Sequence, residues 1–570
     1  MIHMSEHREP VTGPLDKPWP VLPWLQGYRG KTFRLDLVAG LTAAAVVIPK
    51  VMAYASIAGL PIEVGLYTAF VPMIIYAILG TSRTMSFSTT STIAILTAVE
   101  LAAAAPQGGQ VALLTAASTL AILVGVFLFV ASILRLGFIA NFISDPVLTG
   151  FKAGIGLVII IDQIPKLFGF HIDKGSFFQN IISIVTHVGQ AHLPTVVIAL
   201  LAFVIVIGLE HFLPRIPAPL VAVVLGIAAS GLLGLQNAGV SVLGHIPAGL
   251  PAPILPDISL VGKLWPGAMG IALMAFVESI AAGRTFTRHG EPRPKANREL
   301  FALGLANLAG GFFRSLPAGG GTSQTAVNYK AGARTQLAEV VTAIIVLATL
   351  LFIAPLIGLM PQATLAAIVV AATIGLLSPN EFIAILRVHR TEFWWGLAAF
   401  IGVVILGTLQ GILVAVAISV LTIVYIANHP PIYALGRKRG TDVFRPLSSE
   451  HPEDETFPGL LIMRTEGALT FASAPNLREG GWTLINEAKP RVLLLHCSAI
   501  PFIEYTALKL LIDFEEKLHE NGITLWLAAL NPRALDMVQR SGLFAKLGRE
   551  RMFFNLEQAV DAYIAERINK

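Results

Sequence analysis

The sequence has little cysteine and little charge. Its one cysteine, Cys497, excludes an intramolecular disulfide framework and a cysteine-based zinc site. The thirteen histidines show no metal-ligand spacing, and neither a phosphate-binding P-loop nor a nucleophile elbow occurs. We therefore predict that the protein is not an enzyme and that it needs no metal and no cofactor.

Charged residues make up only 13% of the chain, whereas hydrophobic residues make up 55% and the mean hydropathy is +0.72. This composition indicates a polytopic membrane protein. The net charge of +5 fits basic cytoplasmic loops better than nucleic-acid binding. The polar N-terminal segment 1–35 starts without an apolar signal core, so we expect no cleaved signal peptide and a cytoplasmic N-terminus.

The apolar segments predict a transmembrane transport domain over 36–428, with two repeats at about 36–240 and 264–428. The first repeat contains seven segments, at 36–60, 65–79, 86–98, 112–133, 147–164, 196–212 and 220–235. The second contains seven more, at 268–286, 300–313, 314–334, 337–359, 363–377, 394–406 and 412–426. Paired broken segments at corresponding positions are typical of an inverted-repeat transporter with its site near the membrane midplane.

The broken segment of the second repeat, 314–334, is too polar and glycine-rich for an ordinary span. Pro317 and the glycines at 319–321 stop the preceding helix, and the hydroxyl-rich residues from Thr322 onward predict a new, short helix. Its counterpart in the first repeat is the hydroxyl-rich stretch 86–92. Irregular backbone at membrane depth must be buried or line a wet cavity, and a helix start offers unpaired N–H groups, so an anion fits there.

The C-terminal part changes composition. We predict a polar linker over 429–458 and a small soluble α/β domain over 459–570, because short β-like runs alternate with amphipathic helical runs there. Lysines and arginines concentrate in the predicted cytoplasmic loops, with Lys166, Lys174 and Arg314 as exceptions. An even number of spans returns the chain to the cytoplasm, which places the C-terminal domain there.

Four stretches resemble a known family. They are the segment PKVMAYASIAGLPIEVGLYTAFVPMIIYAILGTSR at 49–83, ISDPVLTGFKAGIGL at 143–157, ESIAAGRTF at 278–286 and AVNYKAGARTQLA at 326–338. Together they resemble the sulfate permease (SulP) anion transporters that carry a C-terminal STAS domain. The resemblance implies seven-plus-seven inverted repeats divided into a core and a gate domain, a usual homodimer, and an anion held between the starts of the third and tenth segments.

The chain departs from the family pattern at the expected site. Lys50 stands where a glutamine is common after the first-span proline, and Gln324 stands where many members have an arginine. Ser88 and Thr89 replace the usual Gly-Pro at the start of the third segment. Lys50 lies about 14 residues into its span, or ~20 Å at ~1.5 Å per residue, which is too far for the side chain to reach the membrane surface. We therefore interpret Lys50 as the positive charge that is missing at Gln324.

The predicted anion-binding residues come from three segments. For the residues near helix starts the alternative role is helix capping, and for the aromatic residues it is side-chain packing. They are Lys50, Tyr54, Ser86, Phe87, Ser88, Thr89, Thr322, Ser323, Gln324 and Thr325. Glu278 lies within an apolar run, where it either forms an ion pair with Lys50 or Arg284 or carries a coupling proton. Thr506 occupies the position of the STAS phosphoacceptor turn, where we expect helix capping and keep phosphorylation as an alternative regulatory role.

These observations predict a secondary transporter of the inner or plasma membrane that carries inorganic oxyanions, with sulfate as the leading substrate and a proton as a possible coupling ion. Bicarbonate and C4-dicarboxylates are alternatives, because helix starts recognise negative charge in many forms. An anion channel, or a sensor signalling through the STAS domain, is the alternative from another class. The expected partners are the anion, membrane lipid and a second copy of the chain, without nucleic acid.

Overall fold

The computed structural model describes residue 22 and residues 30–105, 109–141, 144–172, 176–213 and 216–568. Most of the predicted N-terminal segment 1–35, together with Lys174, lies outside these residues. Two compact units divide the chain, Met1–Ser419 and Val420–Lys570, and each is described by itself.

The first unit is built from helices interrupted by two very short strands. The elements up to residue 233 are α1 Gly30–Ile57, α2 Ile62–Thr68, α3 Val71–Leu79, β1 Phe87–Ser88, α4 Ser91–Ala104, α5 Gln110–Ile133, α6 Asp145–Phe168, α7 Phe177–His187, α8 Leu193–Phe212 and α9 Ala218–Leu233. Those that follow are α10 Val261–Thr285, α11 Ala296–Phe312, β2 Gly319–Gly320, α12 Thr322–Lys330, α13 Leu337–Ala348, α14 Ala354–Ile357, α15 Gln362–Ile374, α16 Pro379–Val388 and α17 Arg390–Leu406. The division between the units falls within the next helix, α18 Thr408–Asn428.

Eight helical stretches in the described residues are long and apolar enough to cross a membrane, and three shorter apolar helices accompany them. The helix boundaries follow the predicted apolar segments in order. Two helices between these segments were not predicted, α7 and α16, which lie before α8 and before α17. Both are short and carry apolar residues on one face only, and for this reason a search for fully apolar segments misses them.

The helices of the first unit pack in two groups. In one group α1 packs against α2, α12 and α13, while α5 packs against α10 and α11. In the other group α6 packs against α15 and α17, and α8 packs against α9 and α15. Glycines permit the closest contacts: a Cβ added to Gly150 of α6 would lie 1.8 Å from the carbonyl oxygen of Gly396 on α17. We refer to these groups as the core group and the gate group.

The two short strands pair with each other within the core group. β1 pairs antiparallel with β2, with Phe87 opposite Gly320 and Ser88 opposite Gly319. The predicted break after α11 is confirmed, and α12 begins at Thr322 as the hydroxyl-rich run indicated. In the first repeat the helix α4 begins only at Ser91. Residues 86–90 therefore form strand β1 and its connection to α4, and not the first turn of a helix.

The second unit contains a mixed six-stranded sheet in the order β4-β3-β5-β6-β7-β8. Its elements are β3 Ile432–Arg437, β4 Phe444–Pro446, β5 Leu460–Thr465, α19 Ala474–Ala488, β6 Val492–His496, α20 Tyr505–Glu520, β7 Thr524–Ala528, α21 Pro532–Gln539, α22 Gly542–Leu547, β8 Met552–Phe553 and α23 Leu556–Ile568. Neighbouring strands from β5 to β8 pair in parallel. Leu477 on α19 and Leu511 on α20 belong to a core with Leu493, whereas Val560 on α23 packs with Leu494 from the opposite face.

Two predictions for this unit need correction. The segment 429–458 is not only a linker, because β3 pairs antiparallel with β5 and β4 pairs with β3. The polar run 451–459, which suggested the linker, is instead a connection within the domain that leads into β5. Thr506 does not cap α20: the N-cap residue is Glu504, and Thr506 is an exposed residue of the first helical turn.

Candidate functional site

A cavity of about 460 Å³ lies between the core and gate groups. Its core side is formed by α1, the start of α4, α10 and the start of α12, and its gate side by α6, α15 and α16. The polar and charged side chains of its lining are Lys50, Tyr54, Thr90, Ser91, Thr92, Asp145, Thr149, Lys152, Glu278, Thr322, Ser323, Gln324, Ser378 and Glu381.

Two helices of the core group, α4 and α12, begin at this cavity. Thr90 caps α4, since its hydroxyl oxygen accepts a hydrogen bond from the backbone N–H of Ile93 at 3.3 Å. The N-cap of α12 is Gly321, which has no side chain to cap the helix. The first backbone N–H groups of a helix lack partners within that helix and carry partial positive charge. The start of α12 therefore offers donors to a negatively charged ligand.

Lys50 follows Pro49 inside α1 and reaches the second of these helix starts. Its ammonium donates a hydrogen bond to the hydroxyl oxygen of Ser323 at 3.2 Å. The bond places a positive charge beside the first turn of α12, next to Gln324. An anion at the start of α12 would therefore meet both the helix dipole and a full charge.

Gln324 is almost fully buried, with 2% of its surface exposed, yet it borders the cavity. Its carbonyl oxygen accepts a hydrogen bond from the Ser88 hydroxyl at 2.8 Å. Its amide nitrogen has no hydrogen-bond partner among the described residues. Because a buried donor without a partner is costly, this N–H group is suited to a ligand oxygen.

Glu278 of α10 faces the start of α4. Its two carboxylate oxygens accept hydrogen bonds from the hydroxyls of Thr90 and Thr92, each at 2.9 Å. The ion pair with Lys50 is not formed, because the Lys50 ammonium bonds Ser323 instead. Arg284, the other expected partner, lies exposed near the end of α10. Glu278 therefore connects α10 to the first helix start through hydroxyl groups.

The predicted binding residues divide into two sets. Lys50, Tyr54, Thr322, Ser323 and Gln324 line the cavity together with Glu278. The other five are fully buried behind its wall, namely Ser86, Phe87, Ser88, Thr89 and Thr325. Four of them, at 86–89, were placed at the ligand because the start of α4 was expected too early in the chain, whereas α4 begins only at Ser91 and these residues form β1 and its flanks. Thr325 lies in the first turn of α12, where its hydroxyl accepts a hydrogen bond from the Ser86 backbone N–H and not from a ligand in the cavity.

The buried set supports the helix starts. The Ser86 backbone N–H donates to the Thr325 hydroxyl at 3.1 Å, and the Phe87 N–H donates to a Glu339 carboxylate oxygen at 3.2 Å. The other Glu339 oxygen accepts from the Asn328 amide at 3.1 Å. One buried carboxylate thus joins β1 to α12, and Phe87 stacks on Tyr76 with ring centroids 4.8 Å apart.

Sequence reasoning missed several lining residues. Thr90, Ser91 and Thr92 were within reach, because a hydroxyl immediately before an apolar run is the usual helix cap. Lys152 was also within reach as a lysine inside a predicted apolar span, although it lies nearer the start of its span than Lys50 does. Asp145, Thr149, Ser378 and Glu381 had no comparable signal, because their place at the cavity depends on the packing of α6, α15 and α16.

Comparisons with known proteins agree with this architecture. The sequence profile described as "Sulfate permease family" matches residues 33–399, which is more than half of the chain. The chain belongs to the sulfate permease family. A STAS domain profile matches residues 451–559, so both the family and the C-terminal domain expected from the four motifs are confirmed.

Relatives of this sulfate permease family member include sulfate transporters and probable sulfate transporters. One, from Mycobacterium tuberculosis, is 33% identical over 540 residues, covering 94% of this chain and 96% of its own. A chloroplastic sulfate transporter from Arabidopsis thaliana is 31% identical over 570 residues, covering 96% of this chain and 82% of its own. The family of this chain is therefore one of anion transporters and not of enzymes.

Solved structures show the same fold. Murine Slc26a9, an anion transporter in the inward-facing state, superimposes with a TM-score of 0.86 at 23% identity, covering 98% of this chain and 97% of that chain. The transmembrane domain of the cyanobacterial bicarbonate transporter BicA has a TM-score of 0.60 at 24% identity, covering 68% of this chain and 98% of that chain. The protein is therefore an integral membrane protein with the helical transporter fold of this family.

Proposed function

We propose that the protein is a secondary active transporter of inorganic oxyanions, with sulfate as the principal substrate. The observation that carries the proposal is the set of donors at one cavity: the start of α12, the Lys50 ammonium and the Gln324 amide. An oxyanion presents several acceptor oxygens in different directions, which matches donors from separate elements. The sulfate transporters among the relatives support sulfate as the choice.

The substrate proposal is tested by competition. Purified protein is reconstituted in liposomes, and uptake of radiolabelled sulfate is measured with an excess of unlabelled sulfate, bicarbonate, succinate or chloride outside. We expect unlabelled sulfate to compete best. Stronger competition by bicarbonate or succinate would instead assign the transporter to one of those anions, and absence of saturable sulfate uptake would contradict the proposal.

We further propose that a proton enters with the anion. Two lysines of the lining, Lys50 and Lys152, face three carboxylates, those of Asp145, Glu278 and Glu381. With all five groups ionised, the cavity is negative before a divalent anion arrives. A proton on Glu278 would offset this charge, because its carboxylate borders the same cavity and accepts hydrogen bonds there from the Thr90 and Thr92 hydroxyls.

The coupling is tested with an imposed pH gradient across the liposome membrane. We expect an inward proton gradient to accelerate sulfate uptake by the wild type, and to have little effect on Glu278→Gln, which mimics a permanently protonated carboxyl. Exchange of sulfate for sulfate without a gradient should persist in Glu278→Gln. A wild type that ignores the gradient would refute proton coupling while leaving sulfate transport intact.

We also propose that the N-terminus and the STAS domain face the cytoplasm of the inner or plasma membrane. The concentration of lysine and arginine in loops on one side supports this orientation. A homodimer in contact with membrane lipid remains the prediction from the family resemblance. Cysteine labelling of an engineered site in the STAS domain, in sealed right-side-out vesicles, tests the orientation, because an external impermeant reagent should not reach that site.

A further inference from the structure

Lys152 is the second lysine of the cavity and stands on a different helix group from Lys50. It lies within α6, a helix that begins at Asp145 and ends at Phe168, and it is half-buried. Among the described residues, no hydrogen bond or ion pair reaches its ammonium group. A lysine inside a membrane-spanning helix without a partner is costly, which indicates that its charge serves a ligand.

The two lysines belong to different packing groups. Lys50 is fixed to the core group by its hydrogen bond to Ser323 at 3.2 Å. Helix α6 is packed closely into the gate group, since a Cβ on Gly150 would lie 1.8 Å from the backbone oxygen of Gly396 on α17. The two lysines therefore line one cavity from different helix groups.

The carboxylates of the lining do not neutralise Lys152. Glu278 is held by the hydroxyls of Thr90 and Thr92 on α4. Asp145 precedes Lys152 by about two helical turns, or ~10 Å along the axis of α6. Glu381 is exposed in the first turn of α16. Each of these groups borders the cavity, and none forms an ion pair with the Lys152 ammonium.

We propose that Lys152 is a specificity-determining residue that supplies the gate-side charge for a divalent oxyanion. This inference rests on the proposed sulfate transport and adds the selection of doubly charged over singly charged anions. A divalent anion at the start of α12 contacts Lys50 on one side and Lys152 on the other. A monovalent anion neutralises one lysine and leaves the other unpaired.

The two lysines also affect the transporter when no anion is bound, here called the empty carrier. In the proposed transport cycle the gate group moves towards the core group and brings the two ammonium groups closer together, and like charges repel each other. A bound divalent anion removes this repulsion by pairing with both. The empty carrier therefore changes conformation slowly, while the loaded carrier changes conformation readily.

The first test is a binding measurement on Lys152→Gln. Lys263→Gln is the matched control, because Lys263 is exposed on α10 and lies outside the cavity lining. For Lys152→Gln in purified full-length protein we expect sulfate affinity to fall about tenfold, the scale of one charge contact in a partly desolvated site, and chloride affinity to stay within about twofold. An unchanged ratio of sulfate to chloride affinity would overturn the inference.

A second test restores the charge chemically. The only cysteine, Cys497, is buried, with 1% of its surface exposed, so Lys152→Cys introduces the single accessible thiol of the chain. Reaction with 2-aminoethyl methanethiosulfonate adds an ammonium group and should recover the sulfate preference, whereas methyl methanethiosulfonate adds no charge and should not. Equal results with both reagents would assign Lys152 a merely structural role.

A third test measures the empty carrier in liposomes. Efflux of labelled sulfate from wild-type liposomes should accelerate when unlabelled sulfate is present outside, because the loaded carrier returns faster than the empty one. Lys152→Gln should show a smaller acceleration. If the wild type neither binds nor transports sulfate, the proposed function fails. If the wild type does both and Lys152→Gln retains the same acceleration and selectivity, only this inference fails.

Discussion

Lys50 shows how one residue can set the charge of a site. It lies inside the long helix α1, and its ammonium bonds the Ser323 hydroxyl at the start of α12. The neighbouring Gln324 is a neutral donor where many family members have an arginine. We therefore interpret Lys50 as the fixed charge of the core group, in place of the arginine that the family resemblance leads one to expect at position 324.

Replacing Lys50 by glutamine should weaken sulfate binding by about tenfold or more, since the full charge beside the helix start is lost. The comparison is Arg135→Gln, which removes a charge from an exposed position outside the cavity lining. Sulfate uptake at several concentrations separates a change in KM from a change in maximal rate. Comparable uptake by the two variants would remove Lys50 from the site.

His496 gives the STAS domain a predicted dependence on pH. Burial, together with the nearby positive charge of Arg464, lowers the pKa of His496 from the ordinary 6.5 to about 4. Below pH 6.5 the unfolded chain therefore takes up a proton that the folded domain does not, so stability falls as the pH decreases from 6.5 towards 4. Because the side chain is partly exposed, we expect a loss of only ~1–2 kcal/mol.

The measurement is the hydrogen-exchange protection of strand β6 in the full-length protein between pH 7.0 and ~4.5, a range that spans the ordinary titration of histidine. His496→Asn should lose less protection over this range than the wild type. The same loss in both proteins would show that other groups, and not His496, determine the acid sensitivity.

At the scale of elements, the pairing of β1 with β2 holds the starts of α4 and α12 together. Close packing allows little side-chain volume there: a Cβ on Gly320 would lie 2.3 Å from the sulfur of Met85. The Gly320 N–H donates to the Ser279 hydroxyl at 2.7 Å, which fixes the strand to α10. The site geometry therefore depends on a pair of two-residue strands.

Gly320→Ala should destabilise the protein by ~1–3 kcal/mol through overpacking and should weaken sulfate binding, because the start of α12 shifts with β2. The control is Gly208→Ala on α8, where an added Cβ meets nothing within 4 Å. The melting temperature and the sulfate Kd are the readouts. Met85→Ala in the Gly320→Ala background should restore part of both; a Gly320→Ala protein as stable as Gly208→Ala would contradict the packing argument.

For the whole molecule, the position at which the C-terminal sheet begins decides how the STAS domain can be removed. The sheet begins at Ile432, so a chain ending at Pro431 removes it completely. A chain ending at Pro458, the predicted boundary, keeps β3 and β4 but loses β5, the strand that pairs with β3. Unpaired strand edges promote association with other chains.

We expect the chain ending at Pro431 to retain saturable sulfate uptake, because all cavity residues lie before this position. The chain ending at Pro458 should aggregate more during purification, as seen by size-exclusion chromatography. A monodisperse Pro431 truncation that binds sulfate without transporting it would favour the alternative in which the STAS domain is obligatory for activity.

Much of the architecture was predictable because it depends on local pattern. The apolar runs, the break at Pro317 and the glycine run, the start of α12 at Thr322 and the lysine inside α1 are properties of short stretches, and the four family motifs are contiguous. The same stretches identified Lys50, Tyr54, Glu278, Thr322, Ser323 and Gln324, which line the cavity.

The sequence by itself thus determined a membrane transporter of this family with a site at two broken helices. Only the tertiary structure decided which hydroxyls face the cavity, because the pairing of β1 with β2 buries Ser86 to Thr89 and leaves Thr90 to Thr92 at the cavity. It also brought Lys152 of α6 opposite Lys50 of α1, and joined β3 to β5. Such contacts link residues far apart in the chain, and local hydrophobic pattern carries no information about them.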